Sequence, residues 1–166
     1  MSASGEIRRA KDGGKNNWRT PRALFAVLDA EYGFTLDAAA DAENALCPRY
    51  YSEECDAFKQ CPHSEVIWLN PPYGNLMKWI ALVAEWRHLN RIWLLVPAAT
   101  DTEWFRLAWR ECKELRLLSG RVKFINPETG NPDGSNTTGS ALFRFGPGEA
   151  LPEPWFDLWD WRKDIQ

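Results

Sequence analysis

A chain of 166 residues, 45% hydrophobic and 26% charged, holds enough apolar material for one ordinary globular core and lacks the composition of a disordered or fibrous protein. A net charge of −3 excludes a protein that grips nucleic acid by bulk electrostatics, so any contact with DNA has to be local. No stretch approaches the roughly 20 apolar residues of a membrane span, and residues 1–17 lack the apolar middle of a signal peptide, which predicts a cytoplasmic protein with no membrane partner.

Residues 1–17 are polar and rich in Gly, Lys and Asn, and they read as a flexible leader ahead of a single domain over 18–166. Arg8, Arg9, Lys11, Lys15, Arg19 and Arg22 crowd this end, as a solvated leader or a phosphate-binding arm would have them. Thr20 before Pro21 makes an N-cap and first-turn pair. Leu24, Phe25, Leu28 and Tyr32 then recur at helical spacing until Gly33 closes the helix. Phe34-Thr35-Leu36 alternates into Asp37, a short strand that delivers a carboxylate at its C-terminal end. Residues 38–62, with Pro48, Pro62 and scattered cysteines, read as an irregular excursion containing a helical turn at 41–46.

Cys47, Cys55, Cys61 and Cys112 are expected to be free thiols. Cys55, Cys61 and His63 match no common zinc spacing and lack a C-x-x-C pair, so no metal is expected.

The continuous apolar run Val66-Ile67-Trp68-Leu69 suits a strand covered on both faces, and it stops at Asn70-Pro71-Pro72-Tyr73. Leu76, Trp79, Ile80 and Val83 mark an amphipathic helix over 75–88, and Ile92-Trp93-Leu94-Leu95-Val96 a second buried strand. Thr100 and Glu103 have capping-box spacing ahead of a helix that ends near 112. Strand signals return at 115–118. Beyond Gly120, segments 122–125 and 141–145 flank a polar loop and predict an antiparallel hairpin. Trp68, Trp79, Trp86 and Trp93 occupy core positions, whereas nothing in the pattern dictates burial of Trp18, Trp155, Trp159 or Trp161.

Strand and helix alternate through most of the chain, which predicts an α/β fold with an open, mostly parallel sheet and an antiparallel hairpin at one edge. Ligands of such sheets gather at the carboxyl ends of the strands, where Asp37 and residues 70–73 are expected.

The tetrad at 70–73 carries chemistry. The exocyclic amine of adenine or cytosine is a poor nucleophile, because its lone pair is delocalised into the ring. Two acceptors aimed at its two N–H bonds favour the transition state, in which the nitrogen becomes tetrahedral and gains positive charge. The Asn70 side-chain oxygen supplies one and the Pro71 carbonyl the other, and no strong base is required before transfer. Pro71 and Pro72 fix φ near roughly −65° and restrict the residue before each, so the carbonyls are aimed in advance. Tyr73 offers an aromatic face to a base swung out of the helix, a contact worth ~1–3 kcal/mol. Asn-Pro and Pro-Pro also form plain turns, but the position at the end of a buried strand favours the chemical reading.

With these pieces in view, the chain resembles the phage-type DNA N6-adenine methyltransferase family over nearly the whole stretch 18–145. The matching segments, in the family's order, are Asn17-Trp18-Arg19-Thr20-Pro21, FTLDAAA at 34–40 with Asn44 and Tyr50 after it, the NPPY tetrad, and Gly120-Arg121-Val122-Lys123-Phe124. The resemblance implies a reduced Rossmann-like methyltransferase fold, S-adenosylmethionine as methyl donor, DNA as substrate, and a flipped adenine held by residues 70–73.

It further implies Thr20 and Pro21 near the donor's methionine end, Asp37 with Ala39 in the cofactor loop, and Asn44 and Asp56 toward the ribose or adenine. A carboxylate at a strand end suits the donor's amino group. Arg121, Lys123 and, in the polar loop 126–139, Asn136 are the candidate DNA contacts. Plain readings stand beside these: Thr20 and Asp37 as helix caps, Arg121 and Lys123 as exposed residues at the start of a strand.

Larger methyltransferases carry a glycine-rich loop after the first strand; this chain has Leu36-Asp37-Ala38-Ala39-Ala40. Only 32 residues lie between Asp37 and Asn70, so the second and third βα units are expected to be shortened or missing. Two other readings stay open. The same tetrad serves cytosine N4, RNA bases or a protein glutamine amide, and a DNA- or protein-binding module descended from a methyltransferase would keep much of this pattern. No obligate protein partner is expected.

Overall fold

The computed structural model describes residues 18–133, 137–148 and 153–165; the expected leader at 1–17 and Asn136 lie outside them. The first helix, α1 (Arg22–Tyr32), buries Leu24, Phe25 and Leu28. It ends at Gly33, whose φ of 65° is a left-handed value that glycine takes without strain and whose N–H donates to the Asp29 carbonyl at 2.8 Å. Its start departs from the expected Thr20 cap. Pro21 holds the cap position, no side chain caps the helix, and the Thr20 hydroxyl meets Asn70 instead.

Among the described residues eight strands follow in chain order: β1 (Leu36–Asp37), β2 (Val66–Leu69), β3 (Arg91–Pro97), β4 (Glu114–Leu118), β5 (Phe124–Ile125), β6 (Pro132–Asp133), β7 (Ser140–Phe145) and β8 (Trp155–Trp159). Six of them form one sheet in the order β1-β2-β3-β7-β4-β8. β1, β2 and β3 are parallel neighbours, β8 is parallel to β4, and β7 is antiparallel to both β3 and β4. The sheet is thus mostly parallel, as the alternation of elements predicts, with β7 alone reversed.

The antiparallel hairpin uses different strands from those expected. Phe124–Ile125 pairs with Pro132–Asp133 in a separate ribbon, and Ser140–Phe145 inserts between β3 and β4. Burial explains the difference. Five of the six β7 residues are buried, on both of its faces, which a two-stranded ribbon cannot cover and the middle of a sheet can.

Alternation along β2 and β3 sorts the core into two clusters. Trp68 and Trp93 are paired across the strands and, with Leu95 and Leu142, pack with α1, where Phe25 and Phe34 meet the Trp68 ring at 5.6 and 5.4 Å. Ile67, Leu69, Leu94 and Val96 face the other side, against α2 (Leu76–Trp86) and α3 (Glu103–Glu111). Of the tryptophans left open by pattern, Trp159 and Trp161 are buried with the α1 cluster, Trp18 packs partly against it, and Trp155 is exposed.

β1 pairs directly with β2, Asp37 opposite Trp68, and the connection between them contains only one short 3-10 turn, Ala57–Lys59. Among the described residues no α-helix or further strand of the sheet stands between them, in keeping with the expectation that the second and third βα units are shortened or missing. The chain instead doubles back beside β1, bridging Asp37 to Tyr50, and this brings Asp37 and Asn70 to neighbouring strand ends.

All four cysteines are free, Cys47 and Cys112 buried, Cys55 and Cys61 exposed. Among the described residues no group of three His, Cys, Asp or Glu side chains could hold a metal, and no helix is long and apolar enough to cross a membrane.

The cap of α3 is Thr102, not Thr100. Its hydroxyl accepts from the Phe105 N–H at 3.4 Å and donates to the Ala99 carbonyl at 2.8 Å, whereas Thr100 is exposed two residues too early. Thr102→Ala should lower stability by about 1 kcal/mol in urea unfolding, and Thr100→Ala should leave the midpoint in place; the opposite order would restore the cap read from the sequence.

Candidate active site

A cavity of about 780 Å³ opens at the carboxyl ends of β1 and β2. Its wall includes Thr20, Asp37, Ala39, Asn44, Asp56, Asn70 and Pro72, so seven residues singled out by sequence come to one place. Pro21, Pro71 and Tyr73 do not line it, and neither do Arg121 and Lys123.

Asn70 stands one residue past β2, and the structure uses every hydrogen of its side-chain amide. Nδ2 donates to the Trp18 carbonyl at 3.0 Å and to the Thr20 hydroxyl at 3.1 Å, while Oδ1 accepts from the Tyr73 hydroxyl at 3.1 Å. Because the Trp18 carbonyl can only accept, the nitrogen must face it and the oxygen must face away. One lone pair of Oδ1 is taken, leaving acceptor capacity on a residue that lines the cavity.

Pro71 is buried and Pro72 exposed at φ −56°, after which a 3-10 turn, Tyr73–Asn75, leads into α2. Tyr73 is half-buried, its ring edge-on to Phe124 at 6.4 Å, and burial pushes its phenol well above the ordinary range, so it stays a donor.

Asp37 is 3% exposed. It does not cap a helix: Oδ2 accepts from the Leu46 N–H at 3.1 Å and Oδ1 from the Ala39 N–H at 3.4 Å, which folds the loop over the strand end. Burial raises its pKa to about 6, against the lowering effect of the two N–H groups, and the nearby Asp41 adds to the rise. Asp41 and Asn44 close a turn on each other, Asn44 Oδ1 accepting from the Asp41 N–H at 2.7 Å and Asp41 Oδ1 from the Asn44 N–H at 3.0 Å.

The absent glycine costs nothing here. Among the described non-glycine residues only Asp56 and Ser64 have positive φ, so residues 38–40 need no left-handed conformation, and their methyl groups keep the cavity wall low.

Arg121 and Lys123 are exposed, alternating with buried Val122 and Phe124 on the approach to β5. Gly120 before them has φ 74°, and a Cβ there would meet the Arg162 guanidinium at 2.5 Å, so this corner is closed to other residues.

Sequence reasoning missed Trp18, Tyr51, Phe58, Lys78 and Trp79, all on the cavity wall. Phe58 and Trp79 touch at 4.6 Å between ring centres, and the Lys78 ammonium sits 3.7 Å from the Phe58 centroid. A signal existed for two of them: a helix starting just after the tetrad has to turn its first residues, Lys78 and Trp79 among them, toward the same strand ends.

A mostly parallel α/β sheet with a large cavity at its carboxyl edge, bordered by Asn70 and Pro72 of an Asn-Pro-Pro-Tyr turn, defines a reduced Rossmann-like methyltransferase fold. Comparison with known proteins agrees: the chain belongs to the DNA N-6-adenine-methyltransferase (Dam) family, whose model matches residues 8–152. It is similar to the DNA N-6-adenine-methyltransferase of Escherichia phage T1, with 33% identity over 150 residues that cover 80% of this chain and 63% of that protein. It is also similar to the protein of the same name from Haemophilus phage HP1 (strain HP1c1), with 27% identity over 142 residues that cover 82% of each chain. The chain thus spans less than two thirds of the phage T1 protein.

The Asp37 carboxyl makes a sign-definite prediction. Its folded pKa of about 6 lies above the usual 3.8, so the folded protein keeps a proton that the unfolded chain releases. The stabilising contribution is full below the lower value and is lost as pH rises through the higher one. Relative to Asp37→Asn, the ligand-free wild type should lose on the order of 3 kcal/mol between pH 4 and pH 7 in urea unfolding; parallel curves would show an unshifted carboxyl.

Proposed function

We propose that the chain transfers a methyl group from S-adenosylmethionine to N6 of an adenine turned out of DNA. The observation that carries this reading is the Asn70 amide on the cavity wall, whose nitrogen is committed to the protein on both hydrogens and whose oxygen keeps acceptor capacity. Asn70 Oδ1 and the Pro71 carbonyl accept the two N–H bonds of the substrate amine. Accepting both draws the lone pair out of conjugation and stabilises the positive charge that develops on nitrogen. The half-buried Tyr73, its hydroxyl tied to Asn70, gives the extruded base an aromatic neighbour.

The cavity fits the methyl donor. At about 780 Å³ it lies within the roughly 300–1,000 Å³ of small-molecule sites, and its wall combines aromatic rings with carboxylates and other polar groups. S-adenosylmethionine, when bound, supplies an activated methyl group on a sulfonium. Asp37, buried and short of a cation, would meet the donor's ammonium group with Ala39 beside it, and a positive partner would bring its pKa back down. Thr20 borders the cavity and Pro21 begins the turn into α1 next to it. Asn44 and Asp56 offer polar atoms to the ribose, and Phe58 with Trp79 an apolar wall to the purine.

DNA contact falls to local charge. Arg121 and Lys123 are exposed on the segment whose Phe124 touches Tyr73, a position from which phosphates flanking the flipped base are within reach. In this reading the protein works in the cytoplasm, on DNA.

Transfer of a labelled methyl group to DNA, followed by nucleoside analysis, should yield N6-methyldeoxyadenosine; label in cytosine, or no label at all, would overturn the reading. Asn70→Ala should lower the transfer rate by about 100-fold or more with donor affinity within about twofold, and an equal loss of both would make the side chain structural.

A further inference from the structure

The sequence offers Thr20 as a helix cap or as a contact to the methyl donor. The structure gives its hydroxyl another partner. Thr20 is 6% exposed, and its Oγ1 accepts from Asn70 Nδ2 at 3.1 Å, fifty residues away along the chain.

An amide side chain held by one hydrogen bond can still swing about it, whereas two fixed partners define its plane. The Trp18 carbonyl chooses which end of the Asn70 amide faces inward, because oxygen against oxygen would repel. The Thr20 hydroxyl supplies the second fixed point on the same nitrogen, and the Tyr73 hydroxyl a third on Oδ1. Two of these anchors, Trp18 and Thr20, flank Arg19, and Arg19 is clamped to β5: its N–H donates to the Ile125 carbonyl at 3.0 Å, and the Ile125 N–H donates back at 2.9 Å. The third anchor, Tyr73, rests its ring against Phe124 of the same strand. All three therefore lean on the β5–β6 ribbon, outside the main sheet.

We infer that Thr20 is a positioning residue for methyl transfer: its hydroxyl fixes the Asn70 amide so that Oδ1 keeps its aim at the substrate amine. The kinetic part of this inference rests on the proposed function; the part concerning the amide does not.

The test uses three variants. Thr20→Val keeps the shape and removes the hydroxyl, Thr20→Ser keeps the hydroxyl, and Thr20→Ala serves should the valine fail to fold. In 15N–1H spectra, the Asn70 side-chain amide pair is identified by its loss in Asn70→Ala. In wild type and Thr20→Ser it should exchange slowly with solvent, and in Thr20→Val or Thr20→Ala at least about tenfold faster. With saturating DNA and donor, kcat should fall about 10- to 100-fold in the hydroxyl-free variants and return to within about threefold in Thr20→Ser, while donor Kd stays within about twofold throughout.

An unchanged Asn70 signal in the hydroxyl-free variants overturns the inference, whatever the activity. So does a loss confined to donor affinity, which would make Thr20 a donor ligand. Absence of transfer by the wild type sinks the proposed function instead, and the exchange measurement then decides the role of Thr20.

Discussion

The side-chain amide of Asn70 is bound on three sides by atoms that the chain brings from far apart, and the rest of the site is arranged around that constraint. Its nitrogen holds the segment before α1, through Trp18 and Thr20, and its oxygen holds the turn after β2, through Tyr73. An exposed asparagine would exchange such contacts with water freely. Here the partners are a backbone carbonyl, a buried hydroxyl and a phenol that burial keeps protonated, so each contact is fixed by packing around it. In the proposed reaction such rigidity matters because an acceptor helps only if it already points where charge will develop.

The fold supplies that rigidity from below. β2 and β3 carry Trp68 and Trp93 side by side, each 1% exposed, and the strand that ends in the tetrad is buried along its whole length. On the far side of β7, Glu114 lies 6% exposed between Arg116 and Arg144, at 2.6 and 2.7 Å. Removing a carboxylate from water is costly, and two guanidinium partners offset it. The Arg116 guanidinium is in turn enclosed by the rings of Tyr32, Trp93 and Trp159, at 5.7, 5.5 and 5.1 Å. This charged cluster ties α1, β3, β4, β7 and β8 together, and it explains why tryptophan at 159 is buried where periodicity alone is silent.

Local chemistry made most of this legible. Apolar runs identify β2, β3 and β7 as strands, Gly33 identifies the end of α1, and the tetrad identifies the edge of the sheet where the cavity opens. Two kinds of feature were not legible. The partner of β7 depends on which gap in the sheet can cover both its faces, a property of the assembled layers and not of residues 140–145. Thr20 and Thr102 show the other limit: a threonine ahead of a helix reads as a cap, yet one hydroxyl was drawn to Asn70 and the true cap of α3 lies two residues beyond the best sequence match. Trp79 was hidden for a related reason, since an aromatic residue at helical spacing reads as core whether it faces a core or a cavity, and Phe58 lies in an irregular stretch that has no periodicity to read.

Asp37 shows what the site sacrifices. A carboxyl that is 3% exposed and titrates near 6 is still mostly ionised at a pH of about 7 but bears a desolvation cost for that charge, and two N–H groups help hold the ionised form in place. A protein selected for stability alone would carry a neutral residue at the end of β1, because nothing in the sheet needs the charge. Its neighbours sharpen the point: Asp41 lines the same cavity and adds to the rise, while the cations of that wall are engaged elsewhere, Arg19 with Glu43 at 3.0 Å and Lys78 with the Phe58 ring, and Lys59 pairs with Asp56 at 3.0 Å. Such an imbalance is stable only as half of a pair. In the proposed reading the missing half arrives with the donor, whose ammonium and sulfonium groups carry the compensating charge, and relief of the unfavourable burial of Asp37 becomes part of what the donor gains by binding.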